Sequence, residues 1–176
     1  MRAIKQKIEG VKLIQHMPYV DRRGYFNRIY CEKEFKKIGI TKKIKQENFS
    51  FNRGKLTLRG FHYQEKPFFQ DKTLHCVVGS IYDIVVDLRK KSKTYLKWIS
   101  FKLNDSNNFS LYVPKGCANA FLTLKPNTLV HYNFFYEYVP FSYKGIRYND
   151  PLFQFKWVKK PKIISEKDLN YPDYIK

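Results

Sequence analysis

Polar and apolar residues alternate along most of this chain with a period of two, not with the period of a helix. HCVVGSIYDIVVDLR (75–89) alternates small, aromatic and β-branched residues about a Gly79-Ser80 step. KWISFKLND (97–105) alternates and runs into the turn DSNN. SLYVP is stopped by Pro114, and TLVHYNFFYEYVP (128–140) by Pro140. Helical signals are few. CEKEFKKIGI (31–40) predicts a short helix ended near Gly39, and SEKDLN (165–170) one that opens on a serine cap with acidic residues in its first turn. Many short strands with little helix predict an antiparallel sandwich or barrel of jelly-roll type. No repeat, linker or shift in composition marks a second domain, and the last dozen residues predict a C-terminal arm that folds back.

One strand breaks the pattern. LRGFHYQ (58–64) reads as a core strand yet carries an arginine, a histidine and a glutamine. Gly60, His62 and Gln64 share one face; Arg59, Phe61 and Tyr63 share the other. Arg59 joins His62 only if the strand bends or bulges at Gly60. A loop, EKPFFQDK, then leads to Lys72. His62, Gln64, Lys72 and Arg59 are therefore candidates to ring one cavity; the competing expectation is a buried histidine with an ordinary neighbour and an arginine in an ion pair. Tyr132, Tyr136 and Tyr138 fall on one parity of a second strand. Such a row usually packs, but a buried phenol near a cation is also a usable proton donor.

Composition narrows the partners. Length and a hydrophobic fraction of 43% support one folded domain. The net charge of +19 suits either a nucleic-acid surface or a basic pocket for a phosphorylated small molecule. The lysines and arginines are scattered and the aromatics lie in apolar strand patterns, so the pocket is the favoured reading, with neither nucleic acid nor membrane as partner. Cys31, Cys76 and Cys117 form no CxxC pair, which points to a reducing compartment and no disulfide framework. The N-terminal stretch lacks the apolar core of a signal peptide and no run is long enough to span a bilayer, so a soluble cytoplasmic protein is expected. A β-barrel metal site usually wants two histidines one residue apart. This chain has HYQ there, with His16, His75 and His131 isolated, so no metal is expected. Phosphate-loop and nucleophile-elbow motifs are absent.

DRRGYF (21–26), QENFS (46–50), LRGFHYQ (58–64), Gln70-Asp71-Lys72, GSIYDIVVDLRKKSKTYLKW (79–98), YVPKGCANAF (112–121), Tyr132, GIRYNDP (145–151) and SEKD (165–168) follow one another in an order and spacing that resembles the dTDP-4-dehydrorhamnose 3,5-epimerases. The resemblance implies an all-β, cupin-type jelly roll (a double-stranded β-helix) with a few short helices, a single domain over 1–176, and a homodimer that works without metal or other cofactor. It implies a substrate too: a nucleotide-linked 4-keto-6-deoxy sugar, inverted at carbons beside its ketone on the way to surface polysaccharide. His62 then matches the base, and Asp168 the carboxylate that orients it and favours the imidazolium. Lys72 matches the cation near the ketone. Tyr132 matches the residue that returns a proton on the opposite ring face, and Tyr138 another pocket tyrosine. Arg59 and Arg23 match positions that hold the diphosphate or frame the pocket; Gln46 and Asn48 match polar lining residues. Two departures stand out. Asn119, in Ala118-Asn119-Ala120-Phe121, replaces the histidine of an AHGF-like motif, and Asn27-Arg28 stand where an acid is common. They leave open an epimerase of one carbon, one for a cytidine- or guanosine-linked sugar, or a binding protein without catalysis.

Overall fold

The alternating segments form thirteen strands in the computed structural model, which describes residues 1–175. These are β1 (Arg2–Lys5), β2 (Lys12–Gln15), β3 (Tyr19–Asp21), β4 (Gly24–Phe26), β5 (Gln46–Asn52), β6 (Leu58–Gln64), β7 (Lys72–Val78), β8 (Ser80–Asp87), β9 (Trp98–Asn104), β10 (Phe109–Val113), β11 (Cys117–Thr123), β12 (Thr128–Phe134) and β13 (Tyr143–Gly145). Two short helices, α1 (Glu32–Lys37) and α2 (Glu166–Leu169), complete the elements used below. The strands pair antiparallel in a six-stranded sheet, β1-β2-β10-β7-β12-β5, and a five-stranded sheet, β13-β6-β11-β8-β9. β3 and β4 make a separate hairpin. The jelly-roll expectation is met.

Strand parity explains the layers. Leu74 and Cys76 of β7, Ile81 and Val85 of β8, Leu111 and Val113 of β10, and Cys117 and Phe121 of β11 point between the sheets and form the main core. The opposite parity of the five-stranded sheet (Phe61, Ile84, Val86, Ala118, Ala120) is covered by Ile146 and Phe153 and by the partly buried Phe155 and Trp157. The six-stranded sheet is capped at one end by α1, whose Phe35 packs with Ile14, Tyr112 and Phe135. Each fully buried Val, Leu, Ile or Phe among them contributes about 1.5–3 kcal/mol of transfer free energy.

The interior changes character toward one end. Along β8 the inward positions read Ile81, Asp83, Val85, and along β11 they read Cys117, Asn119, Phe121. Lys72 opens β7 on the same inner face as Leu74. Polar residues thus occupy core parity, and there the two sheets part around a cavity.

Three sequence expectations need correction. The segment 128–140 does not run as a strand to Pro140. β12 ends at Phe134, opposite Lys72 and Gln46, the first residues of its two partner strands, so its ladder runs out. The carbonyls beyond find side chains instead: Gln70 Nε2 donates to Tyr136 O at 2.8 Å and Gln64 Nε2 to Glu137 O at 3.1 Å. Gln64 is therefore a buried clamp, also donating to Phe68 O and accepting from Val139 N, and does not line the cavity. The histidines His16, His75 and His131 are not isolated either. His75 and His131 are register partners, the His16 and His75 rings lie 5.6 Å apart, and Ser110 Oγ bridges these two at 2.7 and 3.2 Å. They sit on the outer face of the six-stranded sheet, and among the described residues no group of three or more His, Cys, Asp or Glu is placed to hold a metal ion.

Candidate active site

The cavity has a volume of about 500 Å³ and both sheets line it. Its first wall depends on Gly60. That residue takes φ +114°, and a Cβ there would fall 2.6 Å from Asn119 O, so only glycine lets β6 press this closely on β11. The β6–β11 register shifts at this point, between Asn119 and Phe121. Arg59 and His62, of opposite parity in a regular strand, consequently both reach the cavity while Phe61 stays in the outer layer. Arg59 is steadied by donating Nε to Asn52 Oδ1 at 2.7 Å.

The C-terminal arm brings the partner of His62. Ser165 caps α2, its Oγ accepting from Asp168 N at 3.1 Å. The turn so formed aims Asp168 back at β6, where Oδ1 lies 2.7 Å from His62 Nε2 and Oδ2 accepts from Gly60 N at 3.1 Å. Tyr171, next along the arm, seats its ring where a Cβ on Gly145 would stand. Burial pushes the His62 imidazole below its ordinary pKa; Asp168 opposes this, but Lys72 and Lys167 add to it. Asp168 itself is held below the usual carboxylate range: burial raises it, and the bonds from His62 and Gly60 overcome that. The lowered pKa of the ring favours its neutral form, and that of Asp168 keeps the carboxylate anionic. Asp168 favours the imidazolium, and burial outweighs that pull. Nε2 carries the proton given to Asp168, and Nδ1 keeps the free lone pair of a base.

Lys72 stands at the start of β7, buried, donating Nζ to His62 O at 3.2 Å; burial pushes it down to about 8. Tyr132 lines the cavity from β12, in the sheet opposite His62, stacked on Phe134 at 5.5 Å, and burial holds its phenol well above the ordinary value. Gln46 and Asn48 line the same side, with Gln46 Nε2 donating to Asn48 Oδ1 at 3.0 Å. Tyr138 stands half exposed at the mouth, its ring edge-on to Tyr143 at 5.4 Å. Asn119 forms part of the floor and donates Nδ2 to Asp83 Oδ2 at 2.9 Å.

Of the ten residues that the resemblance places at the site, nine meet in this one cavity. Arg23 does not. It lies on the exposed β3–β4 hairpin, paired with Asp21 at 2.7 Å, and the hairpin points its aromatic side chains away from the chain. Tyr136 is also outside, beyond the end of β12. Sequence reading missed Tyr143, Lys167 and Asp83. Tyr143 comes from a three-residue strand, which leaves no alternation to detect; Lys167 rides on the α2 turn, 4.8 Å above the Tyr143 ring. Asp83 had a signal: it is an acid at the inward parity of an otherwise apolar strand.

The chain was compared with known proteins. Residues 5–175 match the family model described as dTDP-4-dehydrorhamnose 3,5-epimerase. A dTDP-4-dehydrorhamnose 3,5-epimerase of Sinorhizobium fredii is 37% identical over 94% of this chain and 85% of its own length. Among solved structures, the dTDP-4-dehydrorhamnose 3,5-epimerase of Bacillus anthracis with TDP and PPi bound superposes with a TM-score of 0.95 at 34% identity, covering 98% of this chain and 99% of that one. The Legionella pneumophila dTDP-6-deoxy-D-glucose-3,5-epimerase in complex with dTDP-4-keto-L-rhamnose gives 0.89 at 30%, covering 99% of each.

Proposed function

The chain belongs to the dTDP-4-dehydrorhamnose 3,5-epimerase family and is an epimerase of the cupin-like jelly-roll class; from that premise we propose that it inverts C3, C5 or both of a nucleoside-diphosphate 4-keto-6-deoxy sugar. His62 Nδ1 takes the proton from the carbon beside the ketone, and Asp168 holds the ring and its tautomer through Nε2. The electron pair left on carbon moves into an enolate whose oxygen lies against the Lys72 ammonium. Tyr132, on the far wall, gives its phenolic proton to the other face of the same carbon and is later reprotonated from solvent. Arg59 takes diphosphate oxygens, for which its fork is suited. One observation carries the reading: a carboxylate-backed histidine and a buried phenol come from opposite sheets to one cavity of about 500 Å³ that also holds Lys72.

A second copy completes the site in this reading. Tyr19, Val20, Tyr25 and Phe26 on the hairpin, and Phe49 and Phe51 on the edge strand β5 near the mouth, are more than half exposed, an apolar surface that a homodimer would cover. Arg23, remote from its own cavity, would then serve that of the partner. The protein works in the cytoplasm, in deoxysugar supply for surface polysaccharide such as lipopolysaccharide. Arg28, where the family often has an acid, is engaged with Glu34 at 2.8 Å, so the test offers three nucleobases.

Proton NMR in deuterated water, with thymidine-, cytidine- and guanosine-linked 4-keto-6-deoxy sugars offered in parallel, tests this. Deuterium enters C3, C5 or both of at least one substrate; binding without exchange for all three marks a non-catalytic cupin. His62→Ala lowers exchange by at least ~10²-fold with the fold intact. Tyr132→Phe keeps exchange but loses inversion, since abstraction survives and opposite-face return does not. Equal loss of both would take that role from Tyr132.

A further inference from the structure

Asn119 and its hidden neighbour determine what the cavity floor can recognise. Asp83 is wholly buried on β8 and accepts a single hydrogen bond, from Asn119 Nδ2 at 2.9 Å, while its Oδ1 has no partner among the described residues. Asn119 lines the cavity, so an amide whose nitrogen is bound behind it to Asp83 presents its oxygen forward. The same cavity holds a donor: Lys72 Nζ bonds the carbonyl of His62, the residue facing Asn119 across the β6–β11 ladder. Burial pushes the Asp83 carboxyl up to about 8 against the pull of Asn119 and Lys72, so near neutral pH a proton on Oδ1 leaves Oδ2 as the acceptor. Ionisation of Asp83 leaves Oδ2 an acceptor as well.

A donor and an acceptor in one cavity complement an α-hydroxy ketone, whose carbonyl oxygen accepts and whose adjacent hydroxyl donates. We propose that Asp83 positions the Asn119 amide so that its oxygen accepts from the substrate hydroxyl adjacent to the ketone, which makes Asn119 a specificity-determining residue for 3-hydroxy over 3-deoxy 4-keto sugars. This rests on the epimerase reading above. A histidine at 119 would lack this fixed polarity, since its ring nitrogen is donor or acceptor according to its protonation. The amide cannot titrate, and Asp83 fixes which end faces the substrate.

The test uses a nucleotide-linked 4-keto-6-deoxy sugar and its 3-deoxy counterpart, with deuterium exchange beside the ketone as the rate. The native protein prefers the 3-hydroxy substrate in kcat/KM by about 10–100-fold, the worth of one hydrogen bond made in a buried site. In Asn119→Ala that preference falls toward the intrinsic reactivity ratio of the two sugars, which solvent-catalysed exchange supplies. Asp83→Asn gives the same collapse, because an amide at 83 can donate to Asn119 Oδ1 and let the group turn round. A merely structural role for Asp83 would lower both rates together and leave the ratio alone. Thermal melts monitor folding, and should Asp83→Asn fail to fold, Asn119→Ala still decides. An unchanged ratio in Asn119→Ala overturns the proposal while the epimerase reading stands. Absence of exchange with every 3-hydroxy substrate defeats that reading first.

Discussion

Asp83 and Asp87 leave the same face of β8, four residues apart, and both are wholly buried. One lies at the cavity end of the barrel and the other beneath the 88–97 loop. Burial raises the pKa of each, yet Asp83 stands at about 8 and Asp87 at about 2. Two things differ: Asp83 lies deeper in the protein, and Asp87 has more donors. Asp87 receives Arg89 N and Nε on Oδ1, and Arg89 Nη2, Ser92 Oγ and Thr94 Oγ1 on Oδ2, all between 2.6 and 3.0 Å. Asp83 receives only an amide. A buried carboxylate with its lone pairs filled stays charged and ties the scaffold together; one left short keeps its proton and interaction capacity for something else. Surface exposure alone would have put the two in one class.

The largest expected effect separates them on stability. Asp87→Ala leaves Arg89, Ser92 and Thr94 without their shared acceptor and should cost about 3–5 kcal/mol in urea unfolding at pH 7. Asp83→Asn removes a carboxyl whose proton is held at pH 7 against its ordinary pKa, so it should hold or raise stability at that pH. Comparable losses at the two positions would undo the contrast.

The pH dependence of stability should then run in opposite directions. Asp87 has a folded pKa below the ordinary 3.8, so its contribution is present above about pH 4 and is lost as pH falls through about 2. Asp83 has a folded pKa above the ordinary value, so its contribution is present below about pH 4 and is lost as pH rises through about 8. In unfolding measured from pH 2 to 9, Asp87→Asn should flatten the acid limb, an effect on the order of 2 kcal/mol. Asp83→Asn should flatten the alkaline limb. A wild-type alkaline limb left unchanged by Asp83→Asn would mean that Asp83 is ionised throughout.

The same contrast marks what the sequence could disclose. Period-two patterning predicted strands, and turn and cap residues marked the Gly79-Ser80 step and the Ser165 cap, because each is written in neighbouring residues. The bulge that puts Arg59 and His62 in one cavity was also legible, because Gly60 interrupts a strand between them. Chemistry that depends on distant partners was not. Asp83 and Asp87 look alike on the strand, and the donors that tell them apart come from position 119 in one case and from 89–94 in the other. Gln64 had the parity of a cavity residue and became a clamp, because the loop beyond β12 needed its carbonyls bound. The three outer histidines met through register, which no local pattern records.

The smallest effect concerns the third carboxylate. Asp168 lies between the two extremes, with His62 on one oxygen and Gly60 N on the other, and its direction depends on a helix of four residues capped by Ser165. So short a helix has little stability of its own, so the cap rather than helical propensity orients the carboxylate. Ser165→Ala should cost about 1 kcal/mol in unfolding, the usual worth of such a cap. Its sharper consequence is kinetic. Asp168 raises the pKa of His62 against burial, so any loss of alignment lets the ring titrate lower. The acid limb of the exchange rate against pH should therefore move to lower pH, fully in Asp168→Asn and part of the way in Ser165→Ala. A cap that served only stability would leave the limb in place; a limb that moves in step with the lost carboxylate shows α2 acting as the arm that holds the base.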